Sequence, residues 1–166
     1  GVGKTTLVEI ISSNTRSSLI KMNAVLSSIK ELRNQIANAK ERLLRANRKT
    51  ILFIDEVHRF TSAQQDALLP SIENGTITFI GATTENPFFV VNKALISRAR
   101  IFALLPLNKD DLKKIIEKVI QYYSSLKESK IIEISEEAIN HLIKFSGGDA
   151  RNLINALEIG ISITRE

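Results

Sequence analysis

Cysteine is absent from this chain of 166 residues. That excludes disulfides and metal sites built on thiolates, and it fits a reducing compartment. Long apolar runs are missing too. None approaches the roughly 18 residues that a membrane-spanning helix demands, so no membrane partner is expected. No low-complexity tract or internal repeat stands out. Histidine is scarce: His58 and His141 fall in unrelated segments and make a poor metal site, so surface or packing roles are expected for both. What remains is 43% hydrophobic and 25% charged, enough to bury one core, or one core and a small appended lobe.

The formal net charge is +5, and its distribution says more than its total. Residues 16–49 hold nine Lys or Arg side chains against two acids, Glu31 and Glu41. A basic stretch of this kind is either a solvated helix face or a surface for a polyanion such as nucleic acid.

Along the chain, TTLVEII predicts a helix with Leu7, Ile10 and Ile11 on one side, and SSLIKMNA a strand. Residues 25–47 place Leu26, Ile29, Leu32, Ile36, Leu43 and Leu44 at helical spacing, with most of the basic residues on the opposite face. TILFIDE is a near-continuous apolar run ending in two carboxylates, the pattern of a strand buried on both faces of a parallel sheet. TSAQQDALLPSIENG predicts a helix capped by Thr61 or Ser62, interrupted near Pro70 and closed at Asn74-Gly75. TITFIGATT and RIFALLPL predict two more strands, with a short helix near residues 94–97 between them. After Pro106 the periodicity is helical, with Asn108, Ser135 and Asp149 as N-caps. The expected fold class is α/β: a P-loop-type parallel sheet flanked by helices over residues 1–106, then a small all-helical lid over residues 107–166.

The chemistry gathers at two places. The opening GVGKTT carries the end of the phosphate-loop pattern G-x-x-x-x-G-K-[ST], whose first glycine would lie upstream of Gly1. Backbone N–H groups at the start of a helix favour anionic phosphate, Lys4 can reach the β and γ phosphates, and the Thr5 hydroxyl can bind Mg²⁺. Gly1, Val2, Gly3, Lys4, Thr5 and Thr6 are therefore the candidate nucleotide-binding residues. An ordinary helix-capping loop is the plainer alternative for this segment alone. Asp55, at the end of TILFIDE, is fixed to hold the magnesium through water, and Glu56 is placed to polarise an attacking water.

GKT, ILFIDE, GATTENP, SRAR and GGDARNL occur in the order found in the AAA+ ATPases. The run from Phe53 to Phe89, FIDEVHRFTSAQQDALLPSIENGTITFIGATTENPFF, resembles the replication-associated recombination protein A family, close to the clamp-loader and Holliday-junction helicase branches. The resemblance covers essentially the whole chain. It implies ATP and Mg²⁺ as ligands and Thr84 as the first sensor, with Thr83 as its neighbour. It also implies Arg98 as an arginine finger inserted into an adjacent subunit's site, with Arg100 as competitor, and Arg151 as the second sensor reaching the γ phosphate from the lid. Asn23 is a weaker candidate for restraining Glu56. Phe88 and Phe89 are either an exposed aromatic step or core.

By the same resemblance the expected protein is a cytoplasmic, nucleoid-associated, homo-oligomeric ATPase. It would act on single-stranded, gapped or forked DNA in replication-fork rescue and recombination, with single-stranded DNA-binding protein as a further partner. A nucleotide-switched DNA-binding scaffold and a Holliday-junction branch-migration motor are the competing expectations. The chain reads as truncated at both ends, and as written it is expected to bind ATP poorly.

Overall fold

A computed structural model of the chain describes residues 2–126 and 132–163. Two compact units divide it: one is Thr5–Phe102, and the other is formed mainly by the residues from Ala103 on.

The first unit is a three-stranded parallel sheet in the order β1-β2-β3, with β1 at Ser18–Asn23, β2 at Thr50–Asp55 and β3 at Thr78–Gly81. In register, Ser18 faces Thr50 and Asn23 faces Asp55, while Ile51 faces Thr78 and Ile54 faces Gly81. All three strands therefore finish at one edge.

The central strand is apolar throughout because it serves two cores. Ile51 and Phe53 turn to a cluster with Val8 of α1 (Lys4–Asn14) and Ala82. Leu52 and Ile54 turn to a larger cluster with Met22, Val57, Phe60, Leu68, Ile77 and Leu95, joined by Leu32 and Ala39 of α2 (Ile29–Ala46). Period-two alternation puts neighbouring side chains on opposite faces. Each such fully buried aliphatic side chain stabilises the fold by roughly 1.5 to 3 kcal/mol.

Local chemistry fixes the helix ends. Ser28 caps α2 by accepting the Glu31 N–H, and Asn47 ends it in the left-handed region at φ 47°. Beyond a 3₁₀ turn at Val57–Arg59 come α3 (Ser62–Asp66) and α4 (Leu69–Glu73). Thr61 and Gln64 form a reciprocal capping box on α3, and Pro70 sits in the first turn of α4, where its missing N–H costs nothing. Two short helices follow β3: α5 (Pro87–Val90) and α6 (Lys93–Ile96).

The second unit holds α7 (Lys109–Leu126), α8 (Glu136–Ser146) and α9 (Ala150–Ile163) around Leu112, Ile116, Leu153 and Leu157. Asn108 accepts the Asp111 N–H, Ser135 the Ala138 N–H and Asp149 the Asn152 N–H, one cap per helix. Gly148, at φ +82°, passes so close to the preceding loop that a Cβ there would lie 2.6 Å from Pro106 Cβ. Its carbonyl accepts the Leu107 N–H at 2.9 Å.

Several local expectations are corrected. Residues 101–108 form no strand: Phe102 and Leu105 are exposed, and an apolar run becomes a strand only where a neighbour completes its ladder. β3 stops at Gly81, leaving Thr83 and Thr84 in the loop beyond it. α2 begins at its Ser28 cap, after a turn in which the Asn23 carbonyl accepts the N–H groups of Leu26 and Ser27, so Leu26 is exposed. On α1 it is Val8 that is buried, whereas Leu7 and Ile10 face outward. No helix among the described residues is long and apolar enough to cross a membrane.

Candidate active site at the strand ends

The carboxyl edge of a parallel sheet gathers loops that need no further ladder, so functional groups collect there. In this chain the three strand ends are stitched together by backbone bonds. Ala24 N–H donates to the Asp55 carbonyl at 3.0 Å, Ala82 N–H to the Ile54 carbonyl at 2.9 Å, and Val57 N–H to the Ala82 carbonyl at 2.9 Å. The chain after β2 is thus clamped against the chain after β3.

Asp55 ends β2 half-buried, and its Oδ1 accepts the Glu56 N–H at 3.1 Å. Glu56 follows with φ 54° and ψ 43°, a left-handed conformation that non-glycine residues adopt at a cost of about 1 to 2 kcal/mol. Such backbone strain clusters where a side chain must be aimed. The Glu56 side chain is 32% exposed, and its Oε2 lies 3.4 Å from His58 Nδ1.

His58 is half-buried as a residue with a side chain only 6% exposed, so of the two roles expected for it the packing one holds and the surface one does not. Nδ1 lies 2.9 Å from Thr83 Oγ1 and Nε2 lies 3.2 Å from Glu85 Oε1. Thr83 Oγ1 also accepts the Glu85 N–H at 3.0 Å. One ring therefore lies against both the Glu56 carboxylate and the loop after β3. His141, by contrast, is exposed on α8. Sequence reasoning missed the His58, Thr83 and Glu85 grouping because its members are brought together only by the fold.

A second buried polar centre, Gln65, holds the loops behind the site. Its Nε2 donates to the Phe60 carbonyl at 3.1 Å and the Val90 carbonyl at 3.4 Å, and its Oε1 accepts the Asn92 N–H at 2.7 Å.

The other candidates are placed as follows. Gly3 has φ +87° with open space where a Cβ would sit, Lys4 is the first residue of α1, and Thr5 and Thr6 follow in its first turn, which contains no acidic side chain. Gly1 lies outside the described residues, and Val2 is half-buried. Asn23 spends its Oδ1 on the Val25 N–H at 2.8 Å. Thr84 is exposed, one residue past the hydroxyl that contacts His58. Arg98, just after α6, donates from Nη1 to the Ala94 carbonyl at 2.9 Å and from Nη2 to Glu73 Oε1 at 2.6 Å. Arg100 is exposed. Arg151 is exposed on α9, its N–H donating to Asp149 Oδ1 at 2.8 Å. Phe88 and Phe89 are exposed on α5, which removes the core alternative.

Among the described residues no group of three or more His, Cys, Asp or Glu is arranged to hold a metal ion. Mg²⁺ needs no such group, since it keeps several waters and takes one or two carboxylates together with substrate phosphates. The half-buried Asp55 at the end of β2 is a carboxylate of the kind such an ion takes.

The model for the ATPase family associated with various cellular activities (AAA) matches residues 1–107. Replication-associated recombination protein A of Haemophilus influenzae is 43% identical over all 166 residues, which span 37% of that protein. Its Escherichia coli K12 counterpart is 43% identical over 159 residues, 96% of this chain and 35% of that protein. ATPase WRNIP1 of Dictyostelium discoideum is 42% identical over 166 residues, 19% of its length. The chain thus spans little more than a third of the first two relatives. Among solved structures, the Thermotoga maritima RuvB Holliday junction branch migration motor superposes with a TM-score of 0.71 at 30% identity, covering 95% of this chain and 50% of that one. A parallel sheet flanked by helices, an acid pair at the end of its central strand and a family match over more than half the sequence agree: the chain belongs to the AAA family of ATPases.

Proposed function

We propose that this chain is the ATP-hydrolysing part of a DNA-maintenance protein of the replication-associated recombination type, working in fork rescue and recombination with a clamp-loader-like subunit design. The observation that carries this reading is the 43% identity to proteins of that name over the whole chain. Residues 1–106 act as the ATPase subdomain and residues 107–166 as its lid.

In this reading Gly1 to Thr6 bind the phosphates, with Lys4 offsetting charge on the β and γ groups. Thr5 and Asp55 hold Mg²⁺, Asp55 through water. When bound, the ion neutralises charge that develops on the phosphates. Glu56 accepts a proton from the attacking water, and its strained backbone serves to aim that carboxylate. Thr84 acts as first sensor, Arg98 supplies positive charge to a neighbouring subunit, and Arg151 couples the lid to the γ phosphate. The basic face of α2, with Lys30, Arg33, Lys40 and Arg45 exposed, is offered to the phosphodiester backbone of single-stranded, gapped or forked DNA. A cytoplasmic, nucleoid-associated homo-oligomer that meets single-stranded DNA-binding protein completes the assignment.

The test is ATP turnover by the full-length protein with and without gapped or single-stranded DNA. Turnover should rise with DNA, and Glu56→Gln should retain ATP binding while losing hydrolysis. Absence of DNA stimulation would refute the DNA-coupled role. The likeness to RuvB keeps one second reading alive, branch migration. Movement of a synthetic four-way junction by the protein would favour that reading over fork rescue.

A further inference from the structure

His58 is not among the residues that the proposed reaction uses, yet its surroundings are those of a working group. A buried imidazole has two polar atoms to satisfy, and here both face groups at the strand ends. Glu85 Oε1 and Glu56 Oε2 can only accept, so a ring that carries hydrogen on both nitrogens attracts both carboxylates, Glu85 from Nε2 at 3.2 Å. Nδ1 then faces two oxygens from different strand ends, Thr83 Oγ1 at 2.9 Å and Glu56 Oε2 at 3.4 Å. Thr83 Oγ1 and Glu85 are further tied by the Glu85 N–H at 3.0 Å.

The geometry points to a role for this ring: we propose that His58 is the positioning residue that sets Glu56 against the threonine loop after β3, so that the acid and the sensor segment move as one. The proposal rests on the reading of Glu56 as the water-activating acid. It follows from rigidity. The 3₁₀ turn carrying His58 is tied to the loop after β3 by Val57 N–H to the Ala82 carbonyl and closed on itself by Phe60 N–H to the Val57 carbonyl at 3.1 Å. The ring, enclosed on all but 6% of its surface, has little freedom to swing. A Glu56 carboxylate without this neighbour would keep its chemistry and lose its aim. Misplacement of a reacting group by about 1 Å costs up to about 100-fold in rate while leaving substrate affinity alone.

The experiment uses the full-length protein. His58→Met fills similar volume without either nitrogen, whereas His58→Asn keeps a polar atom near the Nδ1 position. We expect His58→Met to lower kcat by about 10- to 100-fold at unchanged KM for ATP, and His58→Asn to recover most of the loss. Thr83→Val cuts the other end of the link, and the double variant His58→Met with Thr83→Val should lose less than the product of the two single losses. Activity is not the sole readout. In nucleotide-free protein, the ring ¹⁵N shifts of His58 should respond to Thr83→Val and to Glu56→Gln.

Wild-type turnover in His58→Met would overturn the proposal, since the ring would then be packing alone. So would a parallel fall in kcat, affinity and melting temperature that asparagine fails to relieve. Should the His58 variants not fold, undiminished turnover in Thr83→Val with unmoved His58 shifts would refute it equally. Undiminished hydrolysis by Glu56→Gln is a different failure: it removes the assigned role of Glu56, and this proposal with it.

Discussion

Arg98 Nη2 lies 2.6 Å from Oε1 of Glu73, so the guanidinium on the segment after α6 is drawn to the last residue of α4 in its own chain. Both side chains are about half exposed, so the pair is screened by solvent and worth little as stabilisation. An arginine so weakly held can exchange partners. If it serves a neighbouring subunit, Arg98→Ala should lower turnover by about 10³- to 10⁵-fold, and Glu73→Ala should leave turnover equal or higher. Mixing Arg98→Ala subunits with Glu56→Gln subunits should restore part of the activity, because each supplies what the other lacks. No recovery on mixing would place Arg98 in its own subunit's site.

Gln65 offers a test of stability rather than chemistry. It is 3% exposed and serves Phe60, Val90 and Asn92 at once. Gln65→Leu strands the buried Phe60 carbonyl and takes the acceptor from the partly buried Asn92 N–H. An unmet buried group costs about 1 to 3 kcal/mol, so a loss of roughly that size is expected in urea unfolding.

Two glycines with similar backbones should respond differently to alanine. Gly75, at φ +72°, has open space around a would-be Cβ, whereas Gly148, at φ +82°, has Pro106 Cβ at 2.6 Å and the Leu107 carbonyl oxygen at 3.1 Å. Gly75→Ala should cost about 1 kcal/mol, the left-handed penalty alone. Gly148→Ala adds steric strain of roughly 1 to 3 kcal/mol. Thermal melting of the two variants separates these cases.

In the helical unit, Tyr123 Oη donates to Glu158 Oε1 at 3.0 Å. That bond, with smaller help from desolvation and the carboxylate's charge, holds the phenol above its usual value of about 10. A raised folded pKa means the linkage stabilises below the unfolded value and is lost as pH climbs through the folded one. Tyrosinate absorbance should show this titration shifting down toward about 10 in Glu158→Gln.

How far the sequence foretold all this depends on the range of the forces involved. β2 was legible because a run of apolar residues ending in Asp55-Glu56 has few other uses. The caps at Thr61, Ser135 and Asp149 were legible because each bond spans only two or three positions. Residues 101–108 misled, since hydrophobicity marks a strand's side chains and says nothing of whether a neighbour offers its ladder. Val8 displaced Leu7 and Ile10 because the facing sheet, not the helix alone, selects which stripe is covered. His58 was illegible as a partner of Glu85: the residues are far apart in sequence and meet only where two loops fold over the same strand ends.

The left-handed turn at Glu56 limits what can replace it. Glycine and asparagine would relieve its backbone, and each deletes the acid. Aspartate tolerates the conformation and stays ionised, but its carboxylate is withdrawn by about 1.5 Å, one carbon–carbon bond. Comfort and reach are mutually exclusive at this position, so a lineage that drifts toward an easier fold here gives up the long carboxylate in the same step.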